Sequence, residues 1–259
     1  MQYKEQNSMA NNLYLPGEVS SEPWMGGIRH KIIFEGYTAW VVEPVFQTAE
    51  KKWFWLPEWP TAFPERNGVK ELIRLGFYMV HINVFGKFAN ETAVAAMYSF
   101  YKYLTSLGFA EKGAFIGMSM GGLYTFRFVE THPETANCIY ADAPVCDLMW
   151  RCDNNRPDAV EVSQAYGFGD DTAALENHPL SPVNNYENMV ANNIPLLMIL
   201  GLADTVVAPE KNGLLLADRW RKAGGRAEVI TRASWGHHPH GLDDPGRIVR
   251  FIIENTFAR

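Results

Sequence analysis

Three short stretches of this chain hold residue types that can work together as a proton relay. The first, Gly117-Met118-Ser119-Met120-Gly121, follows an apolar run and precedes a helical pattern. A serine hydroxyl is a poor nucleophile unless a base takes its proton and a carboxylate orients that base. The second stretch, LLMILGLADTVVAPE, sets Asp204 in a turn just past another apolar run. The third, VITRASWGHHPHGLDDP, places His237, His238 and His240 just past a third. Serine, acid and histidine therefore come in an order that a nucleophilic hydrolase can use, each at the end of a predicted strand.

The glycines around Ser119 have a physical reason. A sharp strand-to-helix turn lifts the hydroxyl clear of the sheet, and side chains at Gly117 or Gly121 are expected to collide with neighbouring backbone. The helix that starts behind the serine points unpaired N–H groups, and its positive end, at any charge that forms there. The Met120 N–H is thus one expected oxyanion donor. The second is expected from backbone N–H groups of Glu58 or Trp59 in the loop LPEWPTAF.

Rival residues exist for each role. His30 precedes a hairpin, His81 lies in a strand, His132 ends a helix and His178 lies in a polar segment, and all four read as structural or surface residues. His237 directly follows Gly236 and is one candidate base. His238 is its close rival, and His240 is expected to support the loop. For the acid, Asp204, Asp142 and Asp147 are rivals, and Asp142 in YADAP can instead hydrogen-bond turn backbone. A metal site from His237, His238, His240 and Asp243 is the alternative use of the cluster. Pro239 makes its local geometry awkward, so no metal and no organic cofactor is expected.

The rest of the chain must hold these loops in place. HKIIFEGYTAWVVEP (30–44) predicts a hairpin around Glu35-Gly36, and KWFWL (52–56) a strand ended by a proline-rich turn. From residue 52 onward, predicted strands alternate with helices, including one over 90–108 with Asn90 as its N-cap. That order predicts a mostly parallel α/β sheet covered by helices on both faces, after an antiparallel start. Between 145 and 193 the alternation fails, and this loop-rich segment is expected to lie over the sheet edge as a cap. Residues 1–29 are expected to form an arm, and 30–259 the domain. Of the loop aromatics, Trp150, Tyr166 and Trp235 are expected to reach the substrate. Trp53 and Trp55 alternate along a strand and are expected in the core.

Composition narrows the partners. The chain has 259 residues, 47% of them hydrophobic, and a formal net charge of −6 without blocks of like charge. Nucleic acid and anionic membranes are therefore not expected partners. No apolar run is long enough to span a bilayer. The N-terminus lacks the apolar centre of a signal peptide, which leaves the compartment open. The three cysteines lack zinc-ligand spacing; Cys138 is expected in the core, and Cys146 and Cys152 can bridge only in an oxidising compartment.

The stretches GMSMGG, GLADTVVAP and GHHPHGLDDP resemble those of serine hydrolases with the α/β-hydrolase fold, from about residue 30 to the end. The runs FYKYLTSLGF and CIYADAPVCD are similar to small bacterial esterases linked to polysaccharide breakdown. The resemblance implies a Ser119–His237–Asp204 triad and an acyl-enzyme route for a small-molecule or saccharide ester. LPEWPTAF stands where lipases carry an H-G-G-G loop, a departure that concerns the second oxyanion donor. A peptidase or amidase on the same triad is the alternative, with Glu58, Glu161 or Arg151 to clamp a peptide terminus. A non-catalytic binding protein on the same scaffold is a third reading, but it gives no reason for Ser119, Asp204 and His237 to occur together.

Overall fold

The computed structural model of the protein describes residues 13–48, 50–150 and 159–257. Two hairpins open the sheet. β1 (Glu18–Trp24) turns through Met25 and Gly26 into β2 (Gly27–Phe34), which turns through Glu35 and Gly36 into β3 (Tyr37–Pro44). The central residues of both turns have positive φ, 50° and 85° in the first and 47° and 84° in the second. Such turns match the right-handed twist of paired strands. The first hairpin corrects the expected arm over residues 1–29, because β1 pairs antiparallel with β2, in register from Ser20 to Trp24 after an irregularity between Glu18 and Ser20. Nearly every side chain of β1 is exposed, so it lacks the apolar alternation by which a strand is recognised.

The parallel part follows as β4 (Trp53–Trp55), α1 (Val69–Arg74), β5 (Tyr78–Ile82), α2 (Glu91–Ser106), β6 (Gly113–Met118) and α3 (Met120–Thr131). It continues with β7 (Ala136–Asp142), the short helices α4 (Ala159–Ala165) and α5 (Glu187–Ala191), and β8 (Leu196–Gly201). It ends with α6 (Gly213–Lys222), β9 (Ala227–Arg232) and α7 (Gly246–Phe257). Among the described residues the sheet order is β1-β2-β3-β5-β4-β6-β7-β8-β9. β3 meets β5 antiparallel, and every pairing from β5 to β9 is parallel. This is the α/β-hydrolase architecture that the sequence predicts. The Asn90 side chain accepts the Ala93 N–H at 3.1 Å and caps α2.

Alternate residues of the buried strands serve two separate cores. Trp53, Trp55, Phe115, Met198 and Leu200 pack with α2, α3 and α6 on one face. Phe54, Ile116, Met118, Leu197 and Ile199 pack with α1 and α7 on the other. The chain leaves β4 toward the α1 face and leaves β6 toward the α3 face. The loops after these neighbouring strands therefore diverge, and a crevice opens between them at the carboxyl ends.

The β6–α3 junction shows which glycines the turn needs. A Cβ on Gly117 would lie 2.9 Å from Gly122 Cα and 2.9 Å from Thr125 Oγ1. A Cβ on Gly121 would meet Glu58 Cβ at 3.4 Å, an ordinary contact, whereas one on Gly122 would meet Pro144 Cβ at 2.3 Å. The close approach behind the serine is thus made by Gly122 more than by Gly121, which corrects the expectation for Gly121. Gly122→Ala is expected to cost about 1–3 kcal/mol of stability by overpacking, and Gly121→Ala less than about 1 kcal/mol. Urea unfolding of the two variants measures the difference; equal losses would contradict this account of the junction.

Candidate active site

Ser119 sits at the end of β6 with φ 50° and ψ −119°, in a region that side chains rarely adopt. The conformation is held because the Ser119 N–H donates to the Asp142 carbonyl (2.9 Å) while the Ser119 carbonyl accepts from Gly122 and Val145 N–H groups (both 2.9 Å). Strain of this kind persists only where surrounding structure over-determines it. The outcome is a half-buried hydroxyl at the start of α3, beside the N–H of Met120.

The other two relay residues reach it from later strands. Ser119 Oγ lies 2.9 Å from His237 Nε2, and His237 Nδ1 lies 2.7 Å from Asp204 Oδ2. Asp204 also accepts the Val206 and Val207 N–H groups at 2.8 and 2.9 Å through Oδ1. Burial alone would raise this carboxyl's pKa, but the bond from His237 and those two N–H groups outweigh it and hold Asp204 below its ordinary value. It therefore remains an anion wherever a neutral His237 needs orienting. His237, and not His238, makes both contacts; the exposed His238 ring stacks on Phe63 with centroids 5.8 Å apart.

His240 and Asp142 form a second buried pair beside the first. His240 Nδ1 donates to Asp142 Oδ1 at 2.5 Å, and Asp142 Oδ2 accepts from Gly241 N–H (2.9 Å) and the Tyr140 hydroxyl (3.1 Å). Arg66 Nε donates to the His240 carbonyl (2.8 Å) and Arg232 to the Gly241 carbonyl (2.5 Å). The loop bearing His237 is thus fixed on both sides. Asp147, the other rival acid, instead holds Met149 N–H and the Ser181 hydroxyl. The remaining histidines are engaged elsewhere. His30 lies between Glu18 and Glu43, His81 donates to the Leu56 carbonyl, His132 stacks on Tyr98, and His178 packs against Tyr166 and Phe168.

Ser119, Met120, Glu58, Trp59, Trp150, His237, His238 and His240 line one cavity of about 440 Å³. Phe63, Phe85, Phe88, Tyr124 and Glu161 complete much of its wall. Two expected substrate contacts are corrected. Tyr166 lies outside this lining and donates its hydroxyl to the Phe88 carbonyl (3.0 Å), supporting a wall residue from behind. Trp235 does not line the cavity either, and the Arg232 guanidinium stacks 3.5 Å over its ring. Phe63 and Phe85 were missed by the sequence reading. Phe85 had one usable signal, its place in the loop directly after a buried strand.

Three further expectations concern cysteines, clamps and metals. Cys146 is a buried free thiol, and Cys152 and Arg151 lie outside the described residues. His237, His238 and His240 each offer one ligand atom within 4.8 Å of the others. Asp243, the fourth candidate ligand, is exposed and pairs with Arg66 instead. Among the described residues, no helix is long and apolar enough to cross a membrane.

Glu58 is the unusual group of the cavity wall. It is 5% exposed and has no salt-bridge partner among the described residues. Burial pushes its carboxyl up to about 7, an effect that the neighbouring Trp59 and Tyr124 offset only in part; the Tyr124 hydroxyl itself donates to the Val84 carbonyl (3.0 Å). A carboxyl raised in the folded state stabilises that state at low pH and loses the contribution as pH rises through its folded pKa. Wild-type stability should therefore fall from pH 4.5 to about 7, by on the order of 3 kcal/mol from this group alone. Glu58→Gln should flatten that slope, so the variant gains on the wild type at pH 8 and not at pH 4.5. Urea unfolding at both pH values checks this; a pH-independent difference would contradict it.

No curated protein matches the sequence significantly. Among solved structures, an acylaminoacyl peptidase in complex with Z-Gly-Gly-Phe-chloromethyl ketone is similar, with a TM-score of 0.64 and 18% identity over 93% of this chain and 42% of that one. A Mycobacterium tuberculosis puromycin-hydrolyzing peptidase has a TM-score of 0.65 and 17% identity, over 91% of this chain and 40% of its own. The chain thus spans about two fifths of the length of these two peptidases. An esterase/lipase from an uncultured bacterium has a TM-score of 0.60 and 17% identity, over 90% of this chain and 86% of its own. At these identities the likeness is one of fold. The model of the prolyl oligopeptidase family matches residues 90–253, which include Ser119, Asp204 and His237. With well over half of its length matched, the chain belongs to the prolyl oligopeptidase family of serine hydrolases with the α/β-hydrolase fold.

Proposed function

We propose that the protein hydrolyses carboxylic esters through an acyl-enzyme intermediate. The observation that carries this reading is the continuous chain from Ser119 Oγ through His237 to Asp204, opening on the cavity. His237 takes the hydroxyl proton as Ser119 attacks the ester carbonyl, and Asp204 stabilises the imidazolium that forms. The Met120 N–H and a backbone N–H from Glu58 or Trp59 receive the oxyanion. His237 then protonates the leaving alkoxide, and water repeats the sequence to release the acid. No step calls on a metal or organic cofactor.

An ester is preferred because an alkoxide asks less of the general acid than an amide nitrogen does. The exposed rings of Trp59 and Phe85 meet edge to face at the rim, 5.9 Å between centroids. With Phe63 and Trp150 they offer flat apolar surface to an aromatic or sugar group of the substrate. An amidase or peptidase reading draws support from the similar peptidases and from Glu58 and Glu161, carboxylates that suit a substrate ammonium. A panel of aryl, alkyl and sugar esters set against aminoacyl amides decides between them.

Ser119→Ala should fold normally and lose about four orders of magnitude or more in kcat/KM for the best ester. His237→Ala should lose about as much, and the double variant no more, because such residues act as a unit. His238→Ala should lose only roughly tenfold to a hundredfold. Near wild-type turnover by folded Ser119→Ala would end the hydrolase proposal, and His238→Ala falling as far as His237→Ala would reassign the base.

A further inference from the structure

The three histidines of the active-site loop carry a second chemistry. Two of them are already oriented the way metal-ligating histidines are. His237 gives its Nδ1–H to Asp204, and His240 gives its Nδ1–H to Asp142, so each ring keeps Nε2 as its lone-pair nitrogen. A carboxylate behind each imidazole fixes the tautomer and raises the basicity of the opposite nitrogen, as in histidine metal sites. The third ring, His238, is exposed and makes no hydrogen bond among the described residues, which lets it turn toward the other two. One ligand atom from each ring already lies within 4.8 Å of the others. The three ring centroids are 4.8 to 4.9 Å apart.

We infer that His237, His238 and His240 form a site for a borderline-soft divalent transition metal such as Zn²⁺, and that occupancy switches the hydrolase off. This inference rests on the proposed role of His237 as the base. Three neutral imidazoles suit Zn²⁺ or Cu²⁺ and give little to Mg²⁺ or Ca²⁺, which require oxygen ligands. A metal on His237 Nε2 takes the lone pair that must accept the Ser119 proton, and Ser119 Oγ loses its partner. The hydrogen bond given up is a single neutral one, whose net contribution is small. Closing the ligand set needs a rotation of the exposed His238 ring, while Asp204 and Asp142 hold the other two rings in place.

Two experiments test this and separate it from the hydrolase proposal. In the first, Zn²⁺ and Mg²⁺ are titrated into wild-type and His238→Ala enzyme with a neutral p-nitrophenyl ester as substrate. Zn²⁺ should inhibit the wild type in the micromolar range, reversibly by EDTA, with Mg²⁺ inert, and His238→Ala should raise the inhibition constant about tenfold or more. Inhibition unchanged in His238→Ala, or equal for Mg²⁺, would overturn the inference, as would activity that EDTA abolishes and Zn²⁺ restores. In the second, Zn²⁺ binding to Ser119→Ala and to Ser119→Ala/His238→Ala is measured by competition with a chromophoric chelator, which needs no turnover. One equivalent should bind the former, about tenfold or more tighter than the latter. Equal binding by the two variants, or none by the first, overturns the site. Clean metal binding in a wild-type protein inert toward every ester would instead count against the hydrolase proposal and leave the metal site standing.

Discussion

At the carboxyl end of β7 one residue ties together two segments that the sequence sets far apart. The Asp142 carbonyl accepts the Ser119 N–H and so supports the strained turn of the nucleophile. Its carboxylate accepts the His240 ring and the Gly241 N–H, 98 and 99 residues further on. The parallel sheet makes this possible, because neighbouring strand ends lie only about 4.8 Å apart. From Asp142 the network runs through the Tyr140 hydroxyl to Asn67, and from Asn67 to the Met118 sulfur beside Ser119. Displacing a reacting group by about 1 Å can cost a hundredfold in rate. A loop that was merely near Ser119 would not deliver His237 Nε2 to within 2.9 Å of its hydroxyl.

Two carboxyl groups near the site experience opposite environments. Asp204 accepts hydrogen bonds from His237, Val206 and Val207, which hold it ionised despite its burial. Glu58, across the cavity, lacks such compensation and is pushed up to about 7. Groups pushed apart in this way mark functional clefts. The pattern suits a cavity where one acid orients a base and the other meets the substrate. The loop after β4 approaches the start of α3, where Glu58 N lies 3.6 Å from the place a Cβ of Gly121 would occupy.

The parts that the sequence made legible are those encoded locally. Apolar runs, glycine turns and the Asn90 cap identify most strands and helices from residue 30 onward, though not the short α4 and α5, and Ser119, Asp204 and His237 each stand after one of those strands. The parts that stayed hidden depend on contacts between distant residues. β1 has no buried face and exists through its pairing with β2. Trp235 and Tyr166 stand in loops, as aromatic substrate contacts often do, but Arg232 stacks on the first and the Phe88 carbonyl receives the second. Asp142 reads from sequence as a rival acid or a turn residue, and its partnership with His240 depends on the loop after β9 reaching over the end of β7, two strands away. Gly122 illustrates the same limit, because Pro144, whose approach it admits, arrives from the loop after β7.

Among the described residues, Ser119 is the serine whose hydroxyl meets a histidine ring. The direct measurement is to treat the folded protein with a fluorophosphonate and map the adduct by mass spectrometry of its peptides. A covalent serine attack requires a base at the hydroxyl, and Ser119 Oγ is the serine oxygen in contact with His237. The account predicts one adduct per chain, on the peptide containing Ser119, formed by wild type and lost in His237→Ala. A stable fold that takes no label, or a label carried by another residue, would contradict it.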